Sequence, residues 1–202
     1  MLFIFVEGPD DRNYFEAVFG KQFKDHKIIE YSREKKEKIS EYLRSINSMP
    51  NSDYLFFGDE DGKGIENRKE ALLGLYRNLS CEKLYIVQYE IESWYYAGTS
   101  RDDCCRLKLK SYQEDTSTLT KEQFQSKLSR PSERKYIMSQ ILMCYSKELA
   151  QRRNNSFCCF NTQEIYQAKQ NGKSATSGSL PRRRFSVVDQ SEHFTAKPPL
   201  KK

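Results

Sequence analysis

Leu2-Phe3-Ile4-Phe5-Val6 is an unbroken apolar run, closed by Glu7 and by the breaker Gly8-Pro9-Asp10. A run of that length with no polar alternation suits a strand buried on both faces of a parallel sheet. Asp10 or Asp11 is placed to cap a helix that reaches about Phe19. Lys27 to Tyr31 reads as a second, shorter strand. From Arg33 to Ser48 the apolar residues fall at Ile39, Tyr42, Leu43 and Ile46, a three-and-four spacing that predicts one face of a helix. Tyr54-Leu55-Phe56-Phe57 is the next buried strand, and Leu72, Leu75, Tyr76 and Leu79 mark the inner side of the helix after it. Leu84 to Val87 is a fourth strand, and a helix begins around Ile91 to Ala97. Strands alternating with helices imply βαβ units, hence an α/β fold with a mostly parallel sheet flanked by helices. Residues 99–133 are polar and give no clear element. Arg134 to Leu149 predicts one helix, with Ile137, Ile141 and Tyr145 on a stripe.

Past Gln170 the chain turns to Gly, Ser, Pro and basic residues, and the composition predicts a disordered tail. The expected organisation is therefore an α/β domain over 1–98, a helical extension over 99–168 and a basic disordered tail over 169–202. Charge supports that division. Residues 1–150 hold 24 Lys and Arg against 25 Asp and Glu, while residues 151–202 hold 10 against 3. The body is electrically even and the net charge of +6 resides in the C-terminal part. Six cysteines at 81, 104, 105, 144, 158 and 159 include two adjacent pairs and no CxxC spacing, so neither a disulfide framework nor a zinc knuckle is expected. Reduced thiols fit a cytoplasmic protein. The N-terminal apolar run is too short for a signal peptide or a membrane span, so no membrane association is expected.

In a parallel sheet, ligands bind in the crevice outside the carboxyl ends of the strands. Here the first strand ends at Glu7, the third at Asp59 and Asp61, and the fourth just before Glu90 and Glu92. Gly8 lets the backbone turn at once after Glu7. In an extended exit, Asp59 and Asp61 would point to the same side, because side chains alternate with period two. Four or five gathered carboxylates repel one another, so either their pKa values rise or a cation neutralises them. Hard oxygen ligands select Mg²⁺ or Mn²⁺. Such ions stabilise charge building on a phosphoryl group and activate water. Taken singly, each acidic group reads as a solvated loop. Their joint position past three separate apolar strands is what points to chemistry.

Phe5-Val6-Glu7-Gly8-Pro9-Asp10-Asp11 resembles the Toprim hallmark, a hydrophobic strand followed by Glu-Gly-x-x-Asp. Gly58-Asp59-Glu60-Asp61-Gly62 resembles the second Toprim motif, Asp-x-Asp with a nearby glycine. Tyr89-Glu90-Ile91-Glu92-Ser93-Trp94 is similar to a third acidic segment of small stand-alone Toprim-like nucleases. These are the overcoming-lysogenization-defect type and the Toprim partners of ABC-type ATPases in phage defence. The resemblance spans roughly residues 2–97, with a weaker echo at Arg152-Arg153-Asn154-Asn155-Ser156-Phe157. It implies a Mg²⁺- or Mn²⁺-dependent endonuclease that hydrolyses DNA or RNA phosphodiesters, with an ABC-type ATPase as a further partner. It implies that Asp59 and Asp61 hold the metal and that Glu7 is a ligand or general acid/base. Glu92, with Glu90 beside it, would complete the shell or serve a second ion. Gly8, Asp11 and Gly62 take secondary, structural parts, Asp11 as a helix cap. A topoisomerase or primase of this superfamily would need further domains for which 202 residues leave little room.

Other readings compete. A non-catalytic Toprim-like subunit of a larger ATPase keeps the fold without the chemistry. A receiver-like phosphoacceptor domain also has acids after its first and third strands, but Gln88-Tyr89-Glu90 provides no hydroxyl residue directly after the fourth. A phosphatase of the HAD type would carry its DxD after the first strand, where Glu-Gly stands here. Lys63 could reach a substrate phosphate, against the plainer reading of a solvated loop lysine. Trp94, Tyr95 and Tyr96 are expected in the core rather than as a base-stacking platform. His26 and His193 are assigned to the surface. Arg182-Arg183-Arg184 is either an electrostatic nucleic-acid contact or a tail without function.

Overall fold

The apolar runs form four strands, β1 (Leu2–Val6), β2 (His26–Glu30), β3 (Asp53–Asp59) and β4 (Leu84–Val87). They make one sheet in the order β2-β1-β3-β4, and every neighbouring pair is parallel. The computed structural model describes residues 1–23 and 25–162. The α/β architecture follows the sequence pattern. The expected tail, with Arg182 to Arg184 and His193, lies outside the described residues.

Period-two alternation sorts the strand side chains onto two faces. Ile4, Val6, Leu55 and Phe57 enter one core, and Phe5, Tyr54 and Phe56 the other. The second core is covered by α2 (Lys36–Ser48), through Ile39, Leu43 and Ile46, and by α3 (Ile65–Leu75), through Leu72. Tyr42 and Leu75, expected on those inner faces, instead stand 37% exposed at the edges of the stripes. The first core is larger. It holds α1 (Pro9–Phe19) and α4 (Ile91–Ala97), together with the helices that follow residue 98.

Residues 99–133, unreadable by periodicity, contain two short helices, α5 (Arg101–Arg106) and α6 (Lys121–Lys127), joined by irregular chain. Each is fixed by a local cap rather than by a long apolar stripe. The Ser100 hydroxyl accepts the Asp103 N–H, and Thr120 with Gln123 forms a reciprocal capping box. The single helix expected over Arg134–Leu149 is two, α7 (Arg134–Met143) and α8 (Lys147–Arg153). The break has a packing cause. The Tyr145 ring lies flat on Gly98, where an added Cβ would sit 2.3 Å from it. Its hydroxyl donates to the Trp94 carbonyl at 3.1 Å, and the Ser146 N–H donates to the Gly98 carbonyl at 3.0 Å. Ser146 then caps α8. A final helical stretch covers 155–162. Leu119, Phe124, Ile141, Ala150, Phe157 and Phe160 share the core of α1 and β1, so these later helices pack with the sheet in one compact unit, Met1–Tyr166. No helix among the described residues is long and apolar enough to cross a membrane. All six cysteines are free.

Candidate functional site

The carboxyl edge of the sheet brings together the ends of β1, β3 and β4. Glu7 follows β1 directly, and Gly8 then begins α1 with Pro9 in its first turn. Asp11 caps this helix from inside it: its Oδ2 accepts the Gly8 N–H at 3.1 Å. Asp59 is the last residue of β3, in register with Val87. The chain then turns sharply instead of running on extended. Asp61 (φ 55°) and Gly62 (φ 67°) both adopt the left-handed conformation. The period-two argument that put Asp59 and Asp61 on one side therefore fails here, because it holds only while the backbone stays extended. The turn is stitched to the exit of β4. The Glu60 N–H donates to the Val87 carbonyl at 3.0 Å, and the Tyr89 N–H donates to Glu60 Oε2 at 3.0 Å.

Two arginines that sequence reasoning missed organise the carboxylates. Arg68, from the first turns of α3, donates through Nε to the Asp59 carbonyl at 2.7 Å. Its Nη2 stands 3.3 Å from both Glu7 Oε2 and Asp61 Oδ2. Arg134, the first residue of α7, pairs with Asp10 Oδ2 at 2.8 Å and with the buried Glu92. Neither was signalled by a motif. A basic residue four positions after the N-cap of a helix that follows an acidic strand end was the only local hint for Arg68, and Arg134 gave none.

Glu7, Asp61, Asp10 and Glu92 thus have cationic partners, whereas Asp11 and Asp59 have none in the described structure. Asp59 Oδ1 is buried without any hydrogen-bond partner. The consequence is electrostatic. Burial pushes the Asp11 carboxyl up to about 7, with the charges of Glu7 and Glu92 adding to it and N–H bonds opposing. Burial likewise raises Asp59 well above the carboxylate range, helped by Asp11, Glu7, Glu92 and Asp61. Tyr31 donates its hydroxyl to Glu7 Oε2 at 3.2 Å, and its own ionisation is pushed up by burial and then by Glu7 and Asp59.

The remaining sequence candidates are dispersed. Glu90 Oε2 accepts the Lys121 N–H at 2.6 Å and holds the start of α6, two residues from Glu92 but engaged elsewhere. The Lys63 ammonium is 3.8 Å from Asp61 on a side chain 59% exposed. A Cβ at Gly62 would meet nothing within 4 Å, so positive φ rather than space is what favours glycine there. Trp94, Tyr95 and Tyr96 are buried, as expected for core residues. His26 is half-buried rather than freely exposed: its side chain is 14% exposed, and its ring nitrogens bond the Phe23 carbonyl and Glu16.

The 152–157 segment fixes α4, the helix that carries Glu92. Arg153 is buried, and among the described residues no carboxylate pairs with it. Its guanidinium bonds the carbonyls of Tyr96, Ala97, Thr99, Gln113 and Glu114, and stacks 4.4 Å from the Tyr112 ring centroid. A cation on the last carbonyls of a helix suits the helix dipole. Asn154 Nδ2 reaches Ser93 Oγ and both oxygens of Thr116, while its Oδ1 accepts from the Ser156 hydroxyl and the Phe157 N–H. Ser156 Oγ in turn accepts the Trp94 indole N–H at 2.8 Å.

In kind, the donor set fits a hard divalent cation: it is all carboxylate oxygen, and Asp59 offers an unpartnered one. In arrangement it is not a ready cage. Among the described residues no group of three or more His, Cys, Asp or Glu side chains converges to hold a metal, and Arg68 stands between two of the candidates. No protein-family model, curated protein or solved structure matches the chain.

Proposed function

We propose that this protein is a Mg²⁺-dependent nuclease of Toprim type that hydrolyses phosphodiester bonds of DNA or RNA in the cytoplasm. One observation carries the reading: carboxylates from three adjacent parallel strand ends line one sheet edge, and there the buried Asp11 and the half-buried Asp59, whose Oδ1 is enclosed, lack cationic partners. Acids placed so are costly unless protonated or neutralised. Asp59, Asp61 and Glu7 would hold the cation, with Glu92 at its flank. Bound there, Mg²⁺ or Mn²⁺ would stabilise charge on a phosphoryl group and activate water. The chain's own residues set the stage. Gly8 and Asp11 fix the angle at which Glu7 leaves β1, Tyr31 orients the Glu7 carboxylate, and Arg153 with Asn154 keeps the Glu92 helix in place. The exposed Lys63 lies beside Asp61, where it can meet a backbone phosphate.

A second reading is a non-catalytic subunit beside an ABC-type ATPase. The observation in its favour is that four of the six carboxylates already have arginine partners. Cleavage of plasmid, tRNA and single-stranded DNA with Mg²⁺, Mn²⁺ or EDTA separates the two. The nuclease reading expects metal-dependent cleavage that falls to background in Asp59→Ala/Asp61→Ala. Folded wild-type protein inert on every substrate would favour the subunit reading.

A further inference from the structure

Arg68 holds its two kinds of partner unequally. The Nε–H bond to the Asp59 carbonyl is 2.7 Å, a firm anchor on the β3 backbone. The Nη2 contacts to Glu7 and Asp61 are both 3.3 Å, longer than the roughly 2.7–2.9 Å of a good charge-assisted bond. One nitrogen is shared between carboxylates from two different strand ends and satisfies neither fully. The side chain is 14% exposed, so this charge sits within the cluster rather than on its solvated rim. Arg134 differs. It pairs Glu92 with Asp10, which lies outside the proposed cation set, and it comes from α7 rather than from the sheet edge.

We propose that the Arg68 guanidinium and a divalent cation compete for Glu7 and Asp61, making Arg68 a tethered counter-ion that the cation displaces. This rests on the reading of the site as a cation centre. The Asp59 anchor is to a backbone oxygen, so it can persist while the two carboxylates turn to the ion. A built-in positive charge holds the strand ends together when no ion is bound, and it weakens the site's affinity for the ion that replaces it. Unlike a purely structural arginine, a competitor leaves a signature of definite sign: its removal tightens metal binding.

The test is Mn²⁺ binding to the full chain without nucleic acid, read from the electron paramagnetic resonance signal of free Mn²⁺. Arg68→Gln removes the charge and keeps an amide that can reach the Asp59 carbonyl. It is expected to bind Mn²⁺ more tightly than wild type by on the order of tenfold or more, because a positive charge is removed from beside two of the ion's proposed ligands. Arg68→Lys keeps the charge but not the three-way reach, and should fall between the two. Lys69→Gln removes a neighbouring charge that faces Glu66 and not the cluster, and should leave the affinity within about twofold of wild type, because solvent around the 79% exposed Glu66 screens the pair. Equal or weaker binding in Arg68→Gln and Arg68→Lys, with wild type binding normally, overturns the competition while leaving the cation site intact. Absence of Mn²⁺ uptake in all four proteins overturns the cation site and the competition together.

Discussion

Burial, reinforced by the charges of neighbouring carboxylates, sets the titration of Asp11 and Asp59, which unlike Glu7, Asp10, Asp61 and Glu92 have no arginine to oppose it. The Asp11 carboxyl is raised from its ordinary 3.8 to about 7, and Asp59 is raised as well. A carboxyl with a raised folded-state pKa adds stability that is complete below its unfolded value and is lost as pH rises through the folded one. In EDTA, stability should therefore fall between pH 5 and pH 8, with a slope of up to about 1.4 kcal/mol per pH unit for each proton released. The half-buried Asp103 and the exposed Glu122 and Glu148 are shifted downward, so their opposite contribution is confined to more acidic solution. If the cation reading holds, saturating Mg²⁺ should reduce the part of the dependence that comes from Asp59, by binding its ionised form. Urea titrations at the two pH values decide it; a metal-free protein that gains stability toward pH 8 would contradict the assignment. At the same scale, Asp59→Asn removes a carboxyl that the metal-free protein must either keep protonated or hold as a charge with an unpartnered, enclosed oxygen. Its melting temperature in EDTA should rise by a few degrees, the scale of about 1 kcal/mol, while stabilisation by Mg²⁺ disappears.

Among the elements, α4 carries Glu92 and is too short to stand alone. It is seven residues long, buried throughout, and packs on α6, α7 and α8. So short a helix has little intrinsic stability and is held by its surroundings. Asn154→Ala removes the amide that joins Ser93, Thr116, Ser156 and the Phe157 N–H, leaving several buried polar groups without partners. A loss of about 2–4 kcal/mol is expected in chemical denaturation. If the nuclease reading holds, activity measured well below the melting temperature should fall too, because Glu92 loses its platform. A variant destabilised but fully active would show that Asn154 serves the fold alone. The elements also show where pattern reading works. All four strands and the first three helices were legible because each apolar run or stripe packs against the sheet. The α7–α8 break was not, because its cause is a contact between Tyr145 and Gly98, 47 positions apart in the sequence.

For the whole molecule, charge is divided unevenly along the chain. Residues 167–202 carry eight Lys and Arg against two Asp and Glu, whereas the proposed cation centre lies entirely within Met1–Tyr166. If the nuclease reading holds, a chain ending at Tyr166 should keep metal-dependent cleavage at saturating substrate. It should bind nucleic acid more weakly at low salt and with a shallower salt dependence, since fewer phosphate counterions are released. Fluorescence anisotropy over a salt series measures both; an unchanged slope would take the basic segment out of nucleic-acid binding.

The sequence by itself determined the parallel α/β order and the gathering of acids at one sheet edge. Both follow from local periodicity and from the rule that parallel strands share one carboxyl end. It did not determine how those acids are divided. The turn that swings Asp61 away from the extended path depends on two left-handed residues, a backbone choice that alternation cannot express. The partnering of Glu7 and Asp61 by Arg68, and of Glu92 by Arg134, depends on where α3 and α7 land. The raised pKa values of Asp11 and Asp59 follow from their burial, with no arginine beside them, once those helices were packed. Periodicity records which face of an element is buried. Charge pairing across elements is a property of their final distances, and only the tertiary structure sets those.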